Sequence, residues 1–307
     1  MYARAVAAVT TALLGTAALL VPGSDAKAGS PATATHAPAH TVTARPLVIG
    51  HRGASAQAPE NTLAAIDRAA QLGVSWVEND VQRTKDGELV VIHDDSLVRT
   101  TNVKAVFPQR APWKVKDFTA AEIARLDAGS WFAPRFAGTR VPTLTQYMRR
   151  VEHNHQKLLL EIKNPELYPG IEQQILKVLG DEGWLDRQHL AGRLIVQSFG
   201  ADSLRIVHGL APAVRTAFLG APHVADLPAY AGFCDGINPS HGSASRGYVA
   251  AVHSVAGPHG RPLAVFAWTV DDADTARQIA RYGVDGVISD KPDVVRTALG
   301  TTAPQTP

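Results

Sequence analysis

The chain has almost no cysteine, no marked excess of either charge and, past its first two dozen residues, no long apolar run. Cys234 is the single cysteine in 307 residues, so no intrachain disulfide can form. A chain this long buries enough surface to hold a fold without bridges. Cys234 lies in the run Phe233–Ile237 and is expected as a buried, inert thiol. Thirty basic residues against 28 acidic ones leave a formal net charge of +2, and nowhere do five basic residues run together. That balance excludes the basic stripe of a nucleic-acid binder. Hydrophobic content of 45% and charged content of 19% describe an ordinary globular chain of one large or two small domains.

The apolar run that does exist is N-terminal. Arg4, the core Ala5–Val21 and the small-x-small site Ala26-Lys27-Ala28 predict a secretory signal over Met1–Ala28. The other reading is a membrane anchor, but the core is alanine-rich and short for a span. No cysteine stands at the cleavage point to carry a lipid, and no later stretch is built to cross a bilayer. The expectation is a secreted or extracytoplasmic protein with no stable membrane insertion after signal removal. Gly29–Arg45 reads as a disordered linker, whose His36 and His40 read as linker rather than a metal tract. Residues 46–300 form the domain, and 301–307 a tail.

The chemistry concentrates in Leu47–Asp94. Leu47–Ile49 is a short strand, followed at once by His51-Arg52-Gly53. Pro59-Glu60-Asn61-Thr62 opens a helix that Gly73 stops. Ser75–Val81 is a second strand, on which Glu78 and Asp80 share a face. Lys85–Glu88 is a hairpin turn, and Leu89–Ile92 returns to His93-Asp94. Strand-like and helix-like runs then alternate to the end of the domain, with later strands near 158–163, 193–197, 214–219, 233–238, 263–269 and 285–288. Repeated β-α units of this length predict a (β/α)8 TIM barrel. Nine strand runs are one too many. Because a parallel crossover needs a dozen residues, the tight Asp86-Gly87 turn makes Leu89–Ile92 an antiparallel extension of strand two. Thr100–Val141 is an inserted segment after that hairpin, rich in proline and aromatics, with a capping box at Thr119 and Glu122. It reads equally as a wall over the barrel mouth or as a packed subdomain.

Glu161 and Lys163 repeat the same-face spacing on another strand. Taken singly, each acid reads equally well as part of a salt-bridge layer. Three carboxylates, Glu78, Asp80 and Glu161, converging at one barrel end would repel unless a cation lay between them, and oxygen ligands suit Ca²⁺ or Mg²⁺. Arg52 and Lys163 are then placed to stabilise negative charge that develops on a substrate, and His51 and His93 to act as general base and acid. Trp268 reads equally as a wall for the substrate or as a core aromatic. Glu60 reads as a first-turn acid favoured by the helix dipole, with orientation of Arg52 as the alternative. Asp290–Asp293 reads as a strand end and helix start, and the remaining domain histidines as surface or turn residues.

The ordered set resembles the glycerophosphodiester phosphodiesterase family, whose pattern runs HRG, PENT, E-x-D-V, T-K-D-G, V-x-H-D and R-T-T. Here these are His51–Gly53, Pro59–Thr62, Glu78–Val81, Thr84–Gly87, Val91–Asp94 and Arg99–Thr101. Glu161–Lys163, Gln197–Phe199, Trp268–Val270 and Gly283–Gly286 match later parts, so the resemblance covers Pro46 to Leu299. Asp271 stands where asparagine is common, and Thr145-Gln146 where acids are common. The resemblance implies a TIM barrel that hydrolyses glycerophosphodiesters to sn-glycerol 3-phosphate and an alcohol. Attack would come from the substrate's 2-hydroxyl, through a cyclic phosphate, or from water. Scavenging of deacylated phospholipids or trimming of glycerophosphate polymers would follow. Two other readings stay open: a related barrel phospholipase acting on intact lipid with a cyclic product, and a non-catalytic binding module.

Overall fold

Eight parallel strands, each followed by a helix, form a closed ring in the computed structural model, which describes residues 45–301. The expected signal sequence and nearly all of the linker and tail lie outside the described residues. The strands are β1 (Leu47–Gly50), β2 (Trp76–Arg83), β4 (Lys157–Ile162), β5 (Leu194–Ser198), β6 (Thr216–Leu219), β7 (Gly236–Asn238), β8 (Ala264–Ala267) and β9 (Gly286–Ser289). β3 (Leu89–Val91) is the ninth, and it lies antiparallel on β2, as the short turn requires. β2 is long enough to serve two partners. Its first half closes the ring on β1, with Trp76 opposite Ile49, and its last residues carry β3.

The outer ring is α1 (Leu63–Gln71), α2 (Leu144–His153), α3 (Ile171–Asp181), α4 (Ala201–Leu210), α5 (Leu227–Tyr230), α6 (Arg246–His253), α7 (Ala273–Tyr282) and α8 (Pro292–Ala298). Thr62 caps α1 through Ala65 N, and Thr143 and Gln146 form a full capping box on α2. Outside the 100–141 excursion, two helices escape the sequence pattern, the four-residue α5 and Arg187–Gly192. Neither is long enough to show a helical period.

Alternation along each strand sorts the side chains. Val77, Val81, Leu158, Leu160, Ile162 and Val196 face outward into the layer beneath the helices. Ile49, Trp76, Leu159, Ile195, Phe266 and Ile288 turn inward and fill the barrel floor. Gly286 has no side chain because a Cβ there would lie 2.7 Å from Phe266 Cδ1. Cys234 is buried, as expected.

The 100–141 excursion has its own core. Leu97, Val103, Val115, Phe118, Ile123 and Leu126 cluster with Val90 and Ile92 of the hairpin. Thr119 and Glu122 form the expected capping box on a short helix, Ala120–Ile123. Two histidines depart from the surface reading, and one of them, His253, is paired with Asp285 at 2.9 Å. His189 is buried, stacked on Trp184 at 4.7 Å, with Asp186 and Glu152 on its two ring nitrogens. Its helix folds back toward Glu152, a tertiary contact that has no local signature.

Candidate active site at the barrel mouth

A cavity of 100 Å³ opens where the strands end, lined by His51, Arg52, Glu78, His93, Glu161 and Lys163, with Gln197, Phe199 and Trp268 on its far side. The two histidines, two cations and acidic cluster expected from sequence thus meet in one place. A larger groove, between α1 and the Arg135 turn, holds none of them. None of the residues lining the mouth cavity comes from the 100–141 excursion, so that segment packs as a subdomain and does not roof the site.

The turn after β1 explains the local sequence. Arg52 is left-handed at φ 55°, and its backbone N–H donates to Glu78 Oε2 at 2.9 Å. Gly53 follows at φ 85°, where a Cβ would come within 2.6 Å of the Ala65 backbone, so only glycine fits. The Arg52 guanidinium reaches Glu60 Oε1 at 2.8 Å and Asp80 Oδ2 at 3.3 Å. Burial disfavours its charge, but Asp80, Glu60 and Glu78 together hold the guanidinium above its ordinary pKa. Glu60 therefore orients Arg52. The dipole reading fails because α1 begins only at Leu63, leaving Glu60 and Asn61 in the turn before it. Asn61, which the sequence did not single out, donates to Asp80 Oδ2 at 2.7 Å.

Glu78, Asp80 and Glu161 are all buried, and one oxygen from each falls within 4.8 Å of the others. Burial, then repulsion from Asp80 and Glu161, drives Glu78 well above the ordinary carboxyl range. Burial and Asp80 push Glu161 up to about 8, even with Lys163 Nζ 2.8 Å from its Oε1. Asp80 goes the other way: burial opposes its charge, but Arg52, His93 and Lys163 outweigh it. Asp80 Oδ1 is buried without a hydrogen-bond partner, and Lys163 Nζ stands 3.8 Å off. An orphaned carboxylate oxygen facing two glutamates that resist ionisation fits a divalent cation. It would relieve the repulsion and take oxygen ligands only. The salt-bridge layer weighed as the alternative is present too, since Arg52 and Lys163 sit against the same acids, and it does not satisfy Asp80 Oδ1.

Each histidine has its own carboxylate. His51 Nδ1 meets Asp290 Oδ1 at 2.6 Å, and Asp290 also accepts from Ser55 Oγ. Asp290 thus does more than end a strand. Asp271, one of the departures from the family pattern, accepts from the Asp290 N–H and from Ser289 Oγ, fixing that turn. His93 Nδ1 meets Asp94 Oδ1 at 2.7 Å, and both oxygens of Asp94 are held by Arg99. The Arg99 bonds, with His93, bring the Asp94 carboxyl down to about 2 against partial burial. Burial lowers the His93 pKa, partly offset by Asp80. With both aspartates ionised, each Nδ1 carries the proton and each Nε2 is free for chemistry.

Gln197 and Asn238 form a buried polar relay behind the acids. Asn238 Nδ2 donates to Gln197 Oε1 at 3.0 Å, and Gln197 Nε2 points at Glu78 Oε1. They sit at inward positions of largely apolar strands; the family match at Gln197–Phe199 marks Gln197, and for Asn238 the inward polar position is the signal. Trp268 both lines the cavity and packs against the inner cluster of the barrel floor. Its Nε1 donates to Asn238 O at 2.7 Å, and its ring meets Phe199 edge-on at 5.7 Å over the cavity.

A family model described as the glycerophosphoryl diester phosphodiesterase family matches residues 51–294. A glycerophosphodiester phosphodiesterase of Caldanaerobacter subterraneus is 37% identical, over 81% of this chain and 96% of that protein. A glycerophosphodiester phosphodiesterase of Bacillus subtilis is 34% identical, over 81% of this chain and 85% of that one. Among solved structures, a phosphodiesterase of Oleispira antarctica in complex with the product sn-glycerol-3-phosphate superposes with a TM-score of 0.71. Identity there is 29%, covering 83% of this chain and 97% of that one.

Proposed function

The chain belongs to the glycerophosphoryl diester phosphodiesterase family and is a glycerophosphodiester phosphodiesterase, and from that premise we propose a metal-dependent hydrolysis with histidine acid–base catalysis. The product is sn-glycerol 3-phosphate, the molecule bound by the Oleispira antarctica relative. The observation that carries the reading is the pair of carboxylate-held histidines facing the buried Glu78–Asp80–Glu161 cluster across one small cavity.

Glu78, Asp80 and Glu161 would hold one Ca²⁺ or Mg²⁺, which would supply positive charge to offset the phosphoryl group's. Arg52 and Lys163 bind those oxygens. Both cations are held in place beforehand, Arg52 by Glu60 and Lys163 by Glu161, so neither reorganises as negative charge builds. One histidine removes the proton from the attacker, either water or the substrate's 2-hydroxyl, whose cyclic phosphate water then opens, and the other gives a proton to the leaving alkoxide, each through the Nε2 that its aspartate leaves exposed. Trp268 and Phe199 wall the cavity and leave the glycerol end a face to pack on.

The decisive experiment measures glycerol 3-phosphate released from a panel of glycerophosphodiesters, with and without chelator. Turnover that survives exhaustive chelation, verified by metal analysis, sinks the metal reading. A cyclic phosphate released from intact lipid, with no turnover of deacylated substrates, sinks the substrate reading. Export is the second part of the proposal, resting on the charged, apolar and small-x-small segments of Met1–Ala28. Protein recovered from the culture medium should begin at Gly29. Full-length protein confined to the cytosol overturns it.

A further inference from the structure

Behind the groups that face the cavity, one guanidinium grips two carboxylates at once, and we propose that Arg99 is a positioning residue that holds the phosphate-binding arm and a proton-transfer arm in fixed register. The inference rests on the roles proposed above for Arg52 and His93.

Arg99 Nη1 donates to Glu60 Oε2 at 2.7 Å and Nη2 to Glu60 Oε1 at 2.8 Å, a parallel fork. Its Nε donates to Asp94 Oδ2 at 2.7 Å and Nη2 to Asp94 Oδ1 at 3.0 Å, a second fork from the side. Nη2 divides its two hydrogens between the carboxylates. Glu60 in turn accepts from Arg52, and Asp94 meets His93 Nδ1. The result is an unbroken chain of paired side chains, Arg52–Glu60–Arg99–Asp94–His93, with a cavity residue at each end.

A solvent-facing ion pair ordinarily contributes little to stability, and the Arg99 side chain is 44% exposed. Its worth here is geometric. Each carboxylate has a cavity side chain on one side, Arg52 or His93, and Arg99 on the other, so losing Arg99 frees both carboxylates to rotate. A lysine cannot copy two forks with one ammonium.

The excursion acquires a role from this. It does not line the cavity, yet it clamps the Arg99 backbone on both sides. Leu97 N–H donates to Trp113 O, Val115 N–H donates to Asp95 O, and Asn102 N–H donates to Asp127 O. Lys114 Nζ pairs with Asp95 at 2.6 Å. Leu97 itself is fully buried in the excursion's core. The 100–141 segment therefore acts on the chemistry by anchoring Arg99.

The test compares Arg99→Met, Arg99→Lys, Glu60→Gln, the double variant Arg99→Met/Glu60→Gln and His93→Ala in the full chain. Steady-state kinetics on a glycerophosphodiester are read beside circular dichroism and Tm. Arg99→Met should lower kcat about 10- to 100-fold, the scale of an ångström of misplacement, with KM changed by less than about threefold. Arg99→Lys should recover only part of the loss. The double variant should fall short of the product of its singles, because both cuts sever one chain. A folded Arg99→Met enzyme with kcat within twofold of wild type, or with only KM raised, overturns the proposal. So does a double variant whose losses multiply. Should Arg99→Met fail to fold, Arg99→Lys, which keeps the charge, is judged by the same kcat criterion. His93→Ala separates the two levels. If it is fully active, the reading of the site itself fails. If it is inactive while Arg99→Met is unimpaired, only the brace fails.

Discussion

The floor and the mouth of the barrel are built on the same strands, two residues apart, and they share almost no chemistry. Ile49 at the floor becomes His51 at the mouth, Trp76 becomes Glu78, and Leu159 becomes Glu161. Ile195 becomes Gln197, Phe266 becomes Trp268, and Ile288 is followed by Asp290, the partner of His51. Each step of two keeps the side chain on the inner face and moves it from a dry, closely packed layer into one that is mostly charged or polar, with Trp268 as its aromatic wall. The floor has neighbours to fill space and nothing to titrate. The mouth has like charges packed together, an orphaned Asp80 oxygen and two glutamates driven up in pKa. Stability and chemistry should therefore separate cleanly by layer.

The largest expected effect is at the mouth. Chelation should abolish turnover, and Glu161→Gln should weaken metal binding, read directly by calorimetric titration with Ca²⁺ or Mg²⁺, since it removes one charged ligand. Removing the cation should leave the floor folded, so circular dichroism should be unchanged. Loss of secondary structure on chelation would break the separation. Next come the histidines. His51→Ala and His93→Ala should each lower kcat by about 10²–10⁴-fold, the span for a positioned acid or base, with Tm near that of wild type. An active variant returns that histidine to a structural role.

The converse belongs to the floor. Leu159 is fully buried in the inner layer, and Leu159→Ala should destabilise by about 2–5 kcal/mol in denaturant unfolding, through lost transfer energy and the cavity left behind. At a temperature where the variant stays folded, its kcat should match wild type. A variant of normal stability and poor kcat would mean that the layers are mechanically coupled.

How much of this was legible in advance follows the same division. The mouth residues lying near one another in sequence could be read: His51, Arg52, Glu78, Asp80 and His93 fall within one β-α-β-β unit, and Glu161 and Lys163 repeat its spacing. Their partners were harder. Asp290 reaches His51 across 239 residues, brought there only by the closure of β9 on β1. Gln197 and Asn238 sit in apolar strands 41 residues apart and become a relay only in the ring. Glu60 was misplaced by a boundary of a few residues, because Thr62, not Pro59, opens α1. The helix α5 was too short to have a period at all.

A smaller effect tests whether the mouth's cations act on the transition state or on binding alone. Arg52 presents a planar fork held by Glu60 and Asp80, which a lysine cannot reproduce. Arg52→Lys should lower kcat about tenfold or more, and Lys163→Met should do likewise, because a contact that strengthens as charge builds acts on kcat. A raised KM with unchanged kcat would make Arg52 a substrate anchor.

The smallest effect is expected in the excursion, which belongs to neither layer and supplies the control. Asp127 holds its loop together by accepting the N–H groups of Gly129, Ser130 and Gly138 and the Ser130 hydroxyl. Desolvation works against its charge, but these bonds outweigh it and leave the carboxyl well below its ordinary value. A carboxyl depressed in the folded state contributes stability in full above its unfolded pKa and loses it as pH falls toward the folded one. Asp127→Asn keeps the shape and removes the charge. It should lower Tm at pH 7 by about 2–4 °C, the shift for a small local loss in a domain of this size. The difference from wild type should shrink below about pH 4, where the unfolded carboxyl takes up its proton. Its kcat should stay within about twofold of wild type, since Arg99 keeps its other clamps at Leu97 and Val115. Thermal scans from pH 3 to pH 7, with kinetics at pH 7, check all three. A Tm gap that widens in acid would mean that the Asp127 carboxyl is not the depressed group its hydrogen bonds imply.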